Sequence, residues 1–410
     1  MAGFRRKELS FGIGVLGALT LLFSGTPSSL LAQFATSDRI SQPDFWPTQT
    51  KYSRDEYAGA RACESCHGKI AASQQLTSMA HTAMRANESG ILAANPSLSF
   101  THAPYLYSIH TASGRAMYSV TDGHTMQADP IAWAFGTNRV AQSYLFKKKD
   151  GEFYEARVTY FLSLSALDFT PGRALNAAHD TEEAMDRQVS RAEVYRCFAC
   201  HTTASGMGSA FDEARLIPGV SCEACHGPGA GHVAEMEGAP IESSAAALHA
   251  QNTPGRIFNP KTLKPEESVD FCGACHGSYW DVSLSGSSGA GNARFQPYRL
   301  EQSKCWNKND ARLTCIACHD PHQELDTVAE DYDHVCLSCH LSKGAAVRTA
   351  ATQPPQASPA RTANHPGAAC PVATKACTSC HMPEVYVPAM HRSFPDHRIR
   401  IAHENEPVPD

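Results

Sequence analysis

Residues 315–322 read CIACHDPH. Two cysteines stand three positions apart, a histidine follows the second directly, and another histidine lies three residues further on. A C-x-x-C-H stretch is the attachment pattern of a c-type haem. Its two thiols add to the two vinyl groups on one porphyrin edge, and the adjacent histidine then lies under the iron as its proximal ligand. A single C-x-x-C has other readings: a zinc knuckle, a redox dithiol or half of a disulfide pair.

The rest of the chain decides between them. CESCH begins at 63, CFACH at 197, CEACH at 222, CGACH at 272, CLSCH at 336 and CTSCH at 377, which with CIACH at 315 makes seven copies. Zinc sites built from paired C-x-x-C units do not require histidine after every second cysteine. Seven covalent haem c groups, with iron as the metal, are therefore expected. The thioether residues are Cys63 and Cys66, Cys197 and Cys200, Cys222 and Cys225, Cys272 and Cys275, Cys315 and Cys318, Cys336 and Cys339, and Cys377 and Cys380. The proximal ligands are His67, His201, His226, His276, His319, His340 and His381.

The remaining histidines are candidates for the sixth iron positions. Three residues span at most about 10 Å, and the thioethers pin His322 to the wrong face of its own haem, so it is assigned to a neighbouring one. The same argument covers His232 in CEACHGPGAGH. His81 and His102 are candidates for haems near the N-terminus, and His391 and His397 follow the last motif at a distance that permits ligation. His179 and His365 complete the set; His110, His124, His249, His334 and His403 rank below it. No catalytic residue is assigned.

The chain has 410 residues and a net charge of −6, which gives no reason to expect a nucleic-acid partner. Arg5, Arg6 and Lys7 precede the apolar run FGIGVLGALTLLF (11–23), and LLA stands before Gln33. This predicts a signal peptide over 1–32, with an uncleaved anchor as the alternative, and a periplasmic or cell-surface protein. In such an oxidising compartment the two leftover cysteines, Cys305 and Cys370, are expected to form a disulfide.

Three further segments follow: a lead-in with the first haem (33–100), a β-rich haem-free segment (101–170) and a six-haem α-rich region (171–410). YLYSIH, AMYSV, IAWAF, QSYLF and EFYEARVTYF carry the aromatic and branched residues of strands, with Asp122-Gly123 and Asp150-Gly151 as turns. The aromatic stripe is read as core and Lys147–Lys149 as a solvated edge. The expected fold is mainly α, with sparse regular structure organised around packed haems, plus a small antiparallel β-rich segment.

CEACHGPGAGHV, LTCIACHDPH and CTSCHMP…FPDHRI resemble the haem-and-ligand signatures of exported multihaem c-type cytochromes. That broad group contains pentahaem nitrite reductases, octahaem hydroxylamine oxidoreductases and tetrahaem electron-transfer partners. The resemblance covers most of residues 57–401 and implies closely packed haems, commonly bis-histidine, with His232, His322 and His397 as distal ligands. No C-x-x-C-K motif is present, and the count is seven rather than eight. An electron-transfer role is preferred, with redox proteins as partners: other multihaem cytochromes or a membrane quinol-linked complex. A multihaem oxidoreductase acting on a small nitrogen or sulfur species through one open haem is the alternative. So is a self-assembling subunit of a haem-stacked filament or outer-membrane conduit.

Overall fold

The computed structural model describes residues 52–410 except 138, 173–177, 207–210, 239–256, 279–280, 283–285, 341–369, 371, 404–405 and 410. The 1–32 segment and His365 therefore lie outside the described residues.

The β-forming stretches pair as expected, but they belong to something larger. Ten strands form one antiparallel sheet: β1 (Ala83–Arg85), β2 (Ser97–His102), β3 (Tyr105–Ala112), β4 (Arg115–Thr121), β5 (Met126–Phe135), β6 (Ala141–Lys147), β7 (Phe153–Ala156), β8 (Val158–Phe161), β9 (Ala166–Phe169) and β10 (Asp186–Gln188). This overturns the expectation of a mainly helical chain with a small β segment. The main path runs β10-β7-β6-β5-β4-β3-β2. The sheet thus reaches from Ala83 to Gln188, beyond both ends of the 101–170 interval.

The unexpected strands have local physical reasons. AMR in β1 and DRQ in β10 carry no strand pattern of their own. They are extended because β1 pairs with Trp133–Phe135 and β10 with Tyr154–Ala156, filling edges that would otherwise leave backbone groups unpaired. β5 changes partners along its length: Met126–Pro130 pairs with β4, and Ile131–Phe135 with β6 beyond a register shift between Ile131 and Trp133. β6 divides likewise between β7 and β8. Such irregularities bend a sheet and increase its twist, which curls this one into a half-barrel.

Strand alternation sorts the aromatics between two faces. Tyr107, Ile109, Tyr118, Val120, Tyr144 and Phe146 are buried together inside the curl, so the aromatic stripe is core. Trp133, Leu145 and Phe153 point the other way and receive Val194, Phe198 and Leu216. The lysine edge is partnered rather than merely solvated: Lys147 reaches Glu213 at 2.5 Å and Lys148 reaches Asp186 at 2.8 Å.

Outside the sheet, each of the seven motifs lies on or at the end of a helix: α1 (Ala60–Gln74), α2 (Arg191–His201), α3 (Cys222–His226), α4 (Pro265–His276), α5 (Cys315–Cys318), α6 (Asp333–His340) and α7 (Cys377–His381). Three of them, α3, α5 and α7, are only four or five residues long. Helices that short do not persist on propensity, so tertiary contacts must hold them. A β-hairpin of β11 (Glu384–Val387) and β12 (Arg392–Pro395) follows α7.

Phe198 is fully buried, with ring centroids 5.0 Å from Trp133 and 5.1 Å from Phe135. Phe198→Ala should cost about 3–5 kcal/mol and detach α2 from the sheet, read as a lower urea midpoint.

Candidate haem-binding sites

A helical turn explains why the motif has its spacing. Positions i and i+3 share a helix face, so one turn aims both thiols the same way and brings the next residue, histidine, beside them. The turn must end there. In α1, His67 leaves helical geometry at φ −109°, ψ 33°. After α3 and α4, Gly227 and Gly277 take φ +77° and +89°, a conformation that glycine adopts freely.

Three of the motif histidines are oriented by backbone carbonyls. Nδ1 of His201 meets the Thr82 oxygen at 3.2 Å, that of His226 meets Phe258 at 2.8 Å and that of His381 meets Arg400 at 2.8 Å. A carbonyl only accepts, so Nδ1 carries the proton and Nε2 keeps a lone pair for a metal. A hydrogen bond of this kind from the non-ligating nitrogen accompanies most metal-bound histidines.

Two histidines from elsewhere face motif histidines at a telling distance. His322 lies 6.1 Å from His226 between ring centroids, with planes 11° apart, and His397 lies 6.3 Å from His319 at 41°. With each metal–nitrogen bond at about 2 Å, two imidazoles on opposite sides of one iron have ring centres about 6 Å apart. His322 donates from Nδ1 to Asp320 at 3.0 Å and His397 to the Pro395 carbonyl at 3.0 Å. Both donor sets fit bis-histidine haem, and His322 stands opposite the motif at 222–226 rather than its own. Burial pushes His397 down to about 4, so its imidazole stays neutral in mildly acidic solution.

The other candidates stand as follows. His81 is exposed, with Nε2 2.9 Å from the Gln75 carbonyl. His102 packs edge-on against Phe169, with ring centroids 4.9 Å apart. His179 is exposed, and its backbone N–H donates to Glu183. His232 is half-buried on the helix Ala230–Met236. His391 sits in left-handed backbone at φ 48°, with Nε2 3.0 Å from Asp168 and its ring against Phe161. His334, ranked low from sequence, shares the ligand-like orientation, its Nδ1 donating to the Asp331 carbonyl at 2.8 Å. Cys305 and Cys370 are not bonded to each other, contrary to expectation. Cys305 instead lies close to Cys336 and Cys339, and burial pushes its thiol up.

Buried carboxylates join the motif helices in pairs. Glu223, inside CEACH, accepts backbone N–H groups from Ala58 and Gly59 at 2.8 Å and from Gly229 at 2.7 Å, clamping the entrance of α1 to α3. Asp333, at the start of α6, accepts from Ala376 at 2.7 Å and Cys377 at 2.8 Å, at the start of α7. Burial opposes ionisation of Asp333, but the Cys377 and Ala376 N–H groups hold its carboxyl below the usual range. Sequence offers little signal for either residue, because a carboxylate beside a motif reads as surface.

A third clamp fixes His397. Arg299, fully buried on the short helix Gln296–Glu301, grips Asp396 through two bonds of 2.8 Å and reaches the Pro409 carbonyl at 2.7 Å. Ser303 donates to the His397 carbonyl at 3.1 Å and accepts from Ile399 at 2.8 Å.

Segments of different motifs also meet. α4 packs against α5, the Cys200 Sγ lies 3.5 Å from the Ala274 carbonyl, and the His319 ring lies 5.5 Å from that of Tyr332 at the entrance of α6.

Comparison with known proteins agrees with this chemistry. Residues 170–227, which hold two of the motifs, match the family model for cytochrome c554 and c-prime. The multiheme cytochrome MtrA of Shewanella baltica (strain OS185) is 25% identical over 169 residues, covering 38% of this chain and 40% of that protein. The chain is a multihaem c-type cytochrome. It thus matches well under half the length of that curated relative. Among solved structures, the outer cell wall cytochrome OcwA is similar with a TM-score of 0.36 at 14% identity, over 70% of this chain and 67% of that one.

Two outcomes follow for the multihaem protein. Asp396→Ala leaves a fully buried guanidinium unpaired and should cost about 3–5 kcal/mol, with a disturbed haem spectrum as the local readout. Glu301 lies on the same short helix, and its carboxyl is pushed up to about 7 by burial and then by Asp270 and Glu266. A raised folded value means that its contribution is complete below the unfolded value and is lost as pH rises through about 7. Glu301→Gln should therefore raise the urea midpoint at pH 8 relative to wild type and leave it little changed at pH 4.

Proposed function

We propose that this chain is an exported heptahaem electron carrier, holding seven haem c groups and passing single electrons between redox partners in the periplasm or at the cell surface. The observation that carries the reading is the pairing of His322 with His226 and of His397 with His319 at bis-histidine separation. Haem c supplies a one-electron iron couple; the chain's own residues decide how that couple is used.

In this reading His67, His201, His226, His276, His319, His340 and His381 are the proximal ligands. His322 is the distal ligand at 222–226 and His397 the distal ligand at 315–319. With haem bound, the pairs His226–His322 and His319–His397 would both be engaged in holding iron, which could then change charge without opening a place for substrate. The carbonyls on Nδ1 and the clamps at Glu223, Asp333 and Arg299–Asp396 keep the imidazoles in place, and little reorganisation then accompanies each transfer. Close packing of the motif helices would favour short distances between bound haems, over which tunnelling is fast. His81, His102, His179, His232, His365 and His391 remain proposed ligands for the other haems. The redox partners are proposed to be other multihaem cytochromes or a membrane quinol-linked complex.

The test is the spectrum of the haem-loaded protein with His322→Ala. The haem at 222–226 should turn high-spin and bind carbon monoxide, while the haem at 315–319 keeps its low-spin signal. Loss of ligation at 315–319 instead would sink the pairing. Mass spectrometry of the mature protein checks the haem count and the cleavage after Ala32.

A further inference from the structure

The order of the motifs along the chain is not their order in space. The first motif (63–67) meets the third (222–226) through the Glu223 clamp and the packing of α1 on α3. The third meets the fifth (315–319) through His226 and His322. The fourth (272–276) meets the fifth where α4 packs against α5. His319 of the fifth lies 5.5 Å from the Tyr332 ring at the entrance of the sixth (336–340), and Asp333 of α6 accepts from the Ala376 and Cys377 N–H groups at the start of the seventh (377–381).

The second motif (197–201) lies to one side of this line, although Thr203 just beyond it accepts from the Ser221 N–H, beside the third motif, at 2.9 Å. Its Cys200 Sγ lies 3.5 Å from the Ala274 carbonyl in the fourth motif. Arg196 on α2 bridges to Asp281, just beyond α4. The opposite side of α2 is sealed by the sheet. Phe198 is fully buried, His201 lies 5.5 Å from the Phe135 ring, and Thr82 accepts from its Nδ1 while donating to its carbonyl at 3.0 Å. The two ends of the line differ from this: residues Cys66–Ile70 of the first motif helix and Cys380 of the seventh are exposed.

We propose that the seven motifs form a branched array in which 197–201 is a buried side branch, joined to the rest through 272–276 and capped by the ten-stranded sheet. The through path runs 63–67, 222–226, 315–319, 336–340 and 377–381, from one exposed end to the other. The side branch is an electron store. With haem bound at each motif, an electron supplied by a reduced partner protein would pass from ferrous to ferric iron along the path and, through 272–276, into or out of the branch. No bond is made or broken. The proposal rests on the electron-carrier reading above.

Iron–iron distances in the haem-loaded wild-type protein, from pulsed EPR or cryo-EM, test the placement directly. The iron at 197–201 should be nearest to that at 272–276; a nearer iron at 63–67 or 222–226 overturns the branch. Stopped-flow reduction by a protein donor tests the path, using Cys272→Ala/Cys275→Ala/His276→Ala to remove the fourth haem. A branch predicts a new slow phase worth one haem, the isolated one at 197–201. A slow phase worth three haems, those at 315–381, would show conduction in chain order and overturn the proposal. If the variant does not fold, the wild-type distances decide. If wild type takes up no electrons reversibly, the carrier reading fails while the distances still judge the arrangement.

Discussion

One helical turn carrying two sulfurs and an imidazole is the constraint from which the rest of the structure follows. In the proposed reading it commits every motif helix to a porphyrin edge, and it leaves several of those helices too short to persist alone. α3 and α7 are five residues long. Burying a carboxylate on backbone N–H groups of a partner segment solves that problem twice, with Glu223 between the first and third motifs and Asp333 between the sixth and seventh. A charged acceptor on backbone donors makes a stronger bond than a neutral one. It also joins segments remote in sequence, 165 residues apart for Glu223 and Ala58.

The sheet plays a different part. Its inner face is a conventional aromatic core that needs no cofactor, and its outer face, at Trp133, Leu145 and Phe153, supports α2. One motif helix is thus built against a rigid protein wall. In the proposed reading the fold combines two kinds of interior, one filled by side chains and one to be arranged around porphyrins.

The central sheet strands and the motif turns were legible because their patterns are local: alternation with period two, and cysteines three apart. The sheet's full extent was not. β1 and β10 owe their conformation to the edges they complete, and AMR and DRQ say nothing of this. Among the ligand candidates, a three-residue reach assigned His322 to a motif other than its own, and in the fold its ring lies beside that of His226. His226 as the partner was not legible, because that depends on how α3 and α5 come together. His391 looked as suitable as His397 from its spacing. In the fold its Nε2 meets Asp168, while Arg299 and Asp396 hold the neighbouring loop so that His397 faces His319.

By itself the sequence determined the pattern on which the proposed chemistry rests: seven C-x-x-C-H attachment motifs, a histidine directly after each second cysteine and a strand-rich insert between the first two motifs. These are matters of covalent reach and short-range periodicity, complete within a few residues. Only the tertiary structure decided which motifs are neighbours, which imidazole faces which, and that the motif at 197–201 lies against the sheet. Those depend on contacts between segments tens to hundreds of residues apart, and nothing in CIACHDPH alone specifies the surface that His322 will meet.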